Sequence, residues 1–186
     1  MTPKKMTITT AAVNPSIQAH LATPEDAPRI MELFRITAEW LRSKGSAQWA
    51  DLLVGIDRHD TAAAIERLEV ILFKQDDSPA AVVILMPRPS EWDNGLWGDL
   101  AADEHAVYLH RLSVHRVFAG NGLGRQIMKW LDEGVDFPPG KTCIRLDCIA
   151  SNPTLNAFYR EAGYAYIGER DGFCLYEKSL PGRVTE

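Results

Sequence analysis

A chain of 186 residues, 46% hydrophobic and 24% charged, has the length and composition to bury a globular core. Its formal net charge of −5 argues against a general nucleic-acid binder, which presents a basic stripe, and no apolar run approaches the ~20 residues of a membrane helix. The three cysteines, Cys143, Cys148 and Cys174, are odd in number and lack CxxC spacing, so buried thiols in a reducing cytoplasm are expected instead of a disulfide framework.

Residues 1–14 carry two lysines and no apolar core of signal-peptide length, and are expected as a flexible tail. Residues 15–180 are expected as a single domain and 181–186 as a second tail. Ser16–Ala22 alternates apolar and polar side chains as a strand does. Thr23-Pro24-Glu25-Asp26 opens a helix: Thr caps, Pro suits the first helical position, and acids favour the first turn. Ala27, Ile30, Met31, Phe34, Ala38 and Leu41 then keep helical spacing up to Gly45. Asp57–Arg67 reads as a second helix. Glu69–Phe73 and Ala80–Met86 are β-rich runs joined by Lys74–Pro79 as a hairpin. Pro87–Asp103 is a long connection rich in Trp, Gly and Pro, of the kind that often carries function. Ala106–Val114 is a strong strand, followed by the glycine loop FAGNGLG.

Beyond that loop, Leu123, Ile127, Trp130, Leu131 and Gly134 mark one face of a helix. Cys143–Ile149 is a strand. Asn152 caps a further helix with Pro153 at its first position, Gly163 closes it, and Phe173–Lys178 is a final strand. The order β-α-α-β-β-β-α-β-α-β holds too few βαβ repeats for a doubly wound sheet. Three strands in succession imply antiparallel pairing, so the expected fold is a mixed α/β sheet with about four helices.

Gly120-x-Gly122-x-Gly124 lacks the lysine and hydroxyl of a P-loop. A dinucleotide fingerprint would place a third glycine where Arg125 stands. What remains is general physics. A strand, then glycines, then a helix aims unpaired N–H groups and the positive end of the helix dipole at one spot, which suits an anion. Without a Cβ, the glycines let a phosphate approach the amides closely.

YLHRLSVHRVFAGNGLGRQIMKWL resembles the acyl-CoA-binding segment of the GNAT superfamily of N-acetyltransferases, and LDCIASNPTLNAFYREAGYAYIGE is similar to that family's second cofactor segment. HLATPEDAPRIMELF resembles its opening, and EWLRSKGSAQW is similar to a stretch of bacterial members. The resemblance spans roughly residues 16–180. It implies the GNAT fold, a mostly antiparallel mixed sheet splayed at the cofactor strand, with a break expected near Leu112. It implies acetyl-CoA as cofactor, with no metal. The pyrophosphate would lie on Ala119, Gly120, Asn121, Gly122, Leu123, Gly124 and Arg125, and the pantetheine arm along Leu112 and Val114 in the manner of an added strand. One position departs: Ala119 stands where the family carries Arg or Gln.

Asn152 and Tyr159 match the second motif at its spacing. By resemblance, Asn152 contacts the cofactor as well as capping its helix, and the Tyr159 hydroxyl hydrogen-bonds the departing thiolate. A phenol of pKa about 10 gives its proton to a thiolate of pKa about 8.5 only in part.

An attacking amine must first lose a proton. Tyr108 and His110 share one face of the Ala106–Val114 strand, and His110, of a residue type titrating near 6.5, is the best-placed base. Glu104, His105 and a water-relayed group remain alternatives. Four of the five tryptophans, Trp40, Trp49, Trp92 and Trp97, lie in the first helices and the Pro87–Asp103 loop. Trp40, Trp49 and Tyr108 are the expected acceptor wall. The expected activity is acetyl transfer from acetyl-CoA to a primary amine of a small molecule or peptide, by direct attack in a ternary complex. No nucleic acid or membrane partner is expected, and a homodimer is a frequent assembly in the superfamily. The alternative is an acyl-CoA-binding sensor of the same fold that does no chemistry. Ala119 favours it; Asn152 and Tyr159 disfavour it.

Overall fold

The structure, a computed structural model, describes residues 4–183. The chain opens with β1 (Thr7–Ile8) and β2 (Gln18–Leu21), then α1 (Ala27–Ser43), α2 (Ala50–Leu53) and α3 (Thr61–Glu66). The middle holds β3 (Val70–Gln75), β4 (Ser78–Met86), α4 (Glu91–Trp97) and β5 (Ala106–Val114). Next come α5 (Leu123–Glu133), β6 (Val135–Asp136), β7 (Cys143–Ile149), α6 (Pro153–Glu161), β8 (Ala165–Arg170) and β9 (Phe173–Ser179). The described residues thus hold six α-helices against about four expected; the additional ones are α2 and α4, of four and seven residues. No helix among them is long and apolar enough to cross a membrane.

Contacts divide the chain into two compact units, one of residues 6–84 and 111–136, the other of residues 4–5, 85–110 and 137–183. In the first, the strand order is β2-β3-β4-β5, with β2, β3 and β4 antiparallel in succession. Val70–Phe73 and Ala80–Ile84 are buried without a break. Such continuous apolar runs belong to strands covered on both faces. Ile30, Leu33, Phe34 and Ala38 of α1 and Ile127, Met128, Trp130 and Leu131 of α5 bury the apolar sides of those helices. Trp130 meets Phe73 edge-on at 5.4 Å. The β3–β4 connection is tighter than the expected hairpin loop: only Asp76 and Asp77 lie between the strands, Asp76 at φ 52.

The expectation of a loose tail over residues 1–14 is corrected from Met6 onward, while residues 1–3 lie outside the described residues, as do 184–186 of the second tail. Thr7 and Ile8 pair antiparallel with Asp136 and Val135. Met6 is buried, and Trp130 Nε1 donates to the Thr10 carbonyl at 2.6 Å. One apolar anchor and a short ladder suffice to order this segment. Gly134 is the glycine this junction requires, because a Cβ there would sit 2.2 Å from the Trp130 ring.

In the second unit the strand order is β5-β7-β9-β8, with β5 parallel to β7 and the rest antiparallel. β7 and β9 pair along their full length, Cys143↔Ser179 to Ile149↔Phe173. β5 and β7 pair over Ala106–Tyr108 against Cys143–Arg145, and there the pairing ends. Further along β5, Arg111 adopts φ 53, a left-handed conformation that interrupts the regular strand geometry. This is the break expected near Leu112, one residue earlier. The three cysteines are free and buried.

Candidate active site

In the second unit, α4 begins where Ser90 and Asp93 form a reciprocal cap: Ser90 Oγ accepts from Asp93 N, and Ser90 N donates to Asp93 Oδ2 at 2.8 Å. Ser90 Oγ also donates to that oxygen at 2.7 Å. The same Oδ2 lies 2.9 Å from His110 Nε2, with both side chains buried. Burial pushes the Asp93 carboxyl up, but hydrogen bonds from His110 and Ser90 outweigh it and hold it below its usual value. Asp93 is thus an anion, so Nε2 of His110 donates to it. In the neutral imidazole that places the basic lone pair on Nδ1.

Asp147 of β7 completes the group. Its Oδ1 accepts from Trp92 Nε1 at 3.2 Å, and one donor atom each from Asp93, His110 and Asp147 lies within 4.8 Å of the others. Burial pushes the Asp147 carboxyl up to about 6, against the attraction of His110 and the Trp92 hydrogen bond. Such a cluster also has the spacing of cation ligands. Here Asp93 already accepts from Ser90 and His110, and Asp147 from Trp92.

The remaining expected site residues of this unit are placed as follows. Tyr108 is 1% exposed and accepts at its hydroxyl from Arg145 Nη1 at 3.3 Å; Arg145 also pairs with Glu177 at 2.7 Å and Asp103 at 3.2 Å. Burial raises the Tyr108 hydroxyl. Its ring faces Trp97 at 6.3 Å, so Tyr108 is a core residue and not part of an exposed acceptor wall. Tyr159 is buried against Phe158, Tyr164 and Tyr176, with ring centroids at 5.1, 6.2 and 6.2 Å. Burial drives its pKa far up, so the hydroxyl stays protonated and keeps an O–H to donate. Asn152 caps α6, accepting from Leu155 N at 3.0 Å. Glu104 and His105, the alternative bases, are exposed at the start of β5, and His105 Nδ1 sits 3.1 Å from the Gly140 carbonyl.

In the first unit, Ala119 ends a 3-10 turn (Arg116–Phe118), and Gly120 and Gly122 follow at φ 82 and 77. A left-handed Gly122 forms the N-cap of α5, whose first turn holds no acidic side chain. A Cβ on either glycine would meet nothing within 4 Å, so what demands glycine here is backbone conformation, not crowding. Gly120, Asn121, Gly122 and Arg125 are exposed, and the first turn of α5 carries no acid to repel a phosphate. Leu112 and Val114 are half-buried on β5. Trp40 is 37% exposed, with the Arg116 guanidinium 4.0 Å above its ring. Trp49 takes φ 63 and meets Phe34 edge-on at 6.0 Å.

Asp93 and Asp147 escape the sequence reading. Ser90-x-x-Asp93 is a legible cap signature, but nothing local shows that its carboxylate also faces His110, seventeen residues on. Asp147 lies within an apolar strand and has no motif of its own.

Sequence likeness says which kind of protein carries this acid–base group. The profile of the Acetyltransferase (GNAT) family matches residues 30–164, and the chain belongs to that family and is an enzyme of its kind. Among individual relatives, it is 50% identical to the uncharacterised N-acetyltransferase YesJ of Bacillus subtilis over 160 residues, 86% of this chain and 88% of YesJ. The crystal structure of a GNAT-family acetyltransferase from Listeria monocytogenes is 39% identical, with a TM-score of 0.73 over 88% of this chain and 95% of its own. The PaiA N-acetyltransferase from Thermoplasma acidophilum, solved in complex with coenzyme A, shares the fold at 14% identity, with a TM-score of 0.65 over 88% of this chain and 99% of its own.

Proposed function

We propose that this enzyme transfers the acetyl group of acetyl-CoA to a primary amine by direct attack, with His110 as the base that takes the amine proton. The observation carrying this reading is the buried His110–Asp93 pair at 2.9 Å. His110 accepts the proton on Nδ1, and Asp93, held by Ser90, keeps the ring oriented and stabilises the imidazolium formed. Asp93 is a positioning residue. Asp147, still mostly ionised at neutral pH, adds negative charge beside the cation.

Bound acetyl-CoA supplies an acetyl group activated as a thioester. Support for it comes from the exposed, left-handed Gly120 and Gly122, the acid-free start of α5 and the coenzyme A bound to the PaiA enzyme of the same fold. Residues 119–125 would hold the pyrophosphate, and Leu112 and Val114 would align the pantetheine arm. Asn152 would contact the cofactor, and the permanently protonated Tyr159 would donate a hydrogen bond to the leaving sulfur. Trp40 and Trp49 would wall the acceptor. The three buried free thiols fit a reducing compartment, and the cytoplasm is the proposed location.

The test is thiol release with acetyl-CoA across a panel of primary amines. His110→Gln is expected to lower kcat about 10²- to 10⁴-fold. Asp93→Asn is expected to lower it by at least ~10-fold while the acetyl-CoA KM stays put. Wild-type kcat in both variants would rule out His110 as the base.

A further inference from the structure

Arg111 follows His110 in the chain and has no part in the chemistry above. Within the first unit its side chain is 6% exposed, and its guanidinium carbon lies 5.3 Å from the Phe34 ring centre and 5.6 Å from that of Trp49. Nη2 stands 3.6 Å from Asp57 Oδ1, an ion pair longer than a hydrogen bond. Nη1 is buried and has no hydrogen-bond partner. Asp57 is itself fixed, its Oδ2 accepting from Thr61 N at 2.7 Å and its Oδ1 from His59 N at 3.3 Å. Thr61, the residue that anchors Asp57, carries a second buried polar atom without a partner, Oγ1.

Two donors tied to one carboxylate are thus left unsatisfied inside the protein. A buried orphan on a charged group is costly and rare. Further cost goes into holding it, because Arg111 and Trp49 both sit at positive φ, at 53 and 63. Both orphaned groups can donate, and a guanidinium can only donate, so the missing partner is an acceptor. The planar fork matches a carboxylate, and its aromatic cage fixes the plane. Asp57 and Asp51 both act on this guanidinium, so a dianion such as phosphate is repelled more strongly than a monoanionic carboxylate.

We propose that Arg111 and Thr61 form a carboxylate-binding subsite, and that the acceptor is a primary amine bearing a carboxylate. The acceptor assignment rests on the acetyltransferase reading above; the carboxylate subsite is testable without it. The experiment compares β-alanine and γ-aminobutyrate with propylamine and butylamine, matched amines lacking the carboxylate, by thiol release from acetyl-CoA. Wild-type kcat/KM is expected to favour the carboxylated members about 10- to 100-fold. Arg111→Gln should bring that ratio close to one with the acetyl-CoA Kd unchanged, and Thr61→Val should reduce it several-fold. Equal use of both members by the wild type, or a preference kept in Arg111→Gln, overturns the subsite and leaves the acetyltransferase reading intact. If Arg111→Gln fails to fold, Arg111→Lys and Thr61→Val decide by the same ratio. If no amine is acetylated, the acetyltransferase reading falls instead, and titration with β-alanine and propionate decides the subsite. Binding to the wild type that is lost in the variant supports it; equal binding, or none to either, overturns it.

Discussion

At the scale of single residues, the buried carboxyls behave oppositely because their partners differ. Asp93 is surrounded by donors and is held ionised, whereas Asp147 has one indole N–H and is pushed up to about 6 by burial. A carboxyl whose folded pKa lies above its unfolded value near 3.8 binds more protons when folded. Its favourable contribution is complete below about 4 and is lost as pH rises through about 6. At neutral pH Asp147 therefore destabilises the fold. Asp147→Asn, which keeps an acceptor for Trp92, is expected to raise the melting temperature at pH 7.5 by a few degrees, an effect of at most ~3 kcal/mol. The gain should vanish at about pH 4, and melting curves across this range check it. A gain of equal size at both ends would mean that the carboxyl is not raised. Tyr159 shows the same force at work on a phenol, where burial leaves a donor and no acid of use at neutral pH.

At the scale of elements, turns and helix ends decide where chemistry can happen. Gly122 caps α5 in the left-handed region, where a side chain costs about 1 kcal/mol. Gly122→Ala is expected to lose about that much stability and to weaken acetyl-CoA binding, read as a higher Kd by isothermal titration; an unchanged Kd would remove the loop from the cofactor site. At the other end of α5 the constraint is steric. Gly134→Ala puts a methyl group into Trp130 and should destabilise by about 1–3 kcal/mol, visible as a lower urea midpoint. Cofactor affinity should survive that change, which separates the two glycines.

Across the whole molecule, strand pairing rather than helix propensity arranges the site. The parallel β5–β7 ladder runs from Ala106 to Tyr108, and His110 follows two residues on. The segment before β2 contributes as well, through buried Met6 and the β1–β6 ladder. Removing residues 1–12 is expected to cost about 2 kcal/mol or more, the worth of one buried Met and a short ladder, and to lower the melting temperature by several degrees. A truncated protein melting with the full chain would restore the view of this stretch as a tail.

Much of this was written locally. The Thr23-Pro24 start, the Asn152-Pro153 cap and the apolar runs of β3, β4, β5 and β7 are set by near neighbours, and each formed where expected. The glycine loop was legible because glycine takes left-handed backbone at least cost, and Gly120 and Gly122 both adopt it. The elements α2, α4, β1, β6 and β8 were not, since α2 and α4 lack strong apolar periodicity, a two-residue strand exists only through its partner, and β8 is mostly exposed and irregular at Tyr166–Gly168. Strand alternation assigned Tyr108 and His110 to one face correctly in kind, yet only packing showed that Tyr108 is sealed beneath Arg145. The sequence by itself determined the family, and it offered the glycine loop and His110 as candidates, because these rest on residue type and spacing along the chain. The tertiary structure alone decided that Asp93 and Asp147 stand beside that histidine and that Arg111 is buried with a donor unmet. Hydrogen bonds and desolvation act through space, between residues that the chain itself keeps far apart.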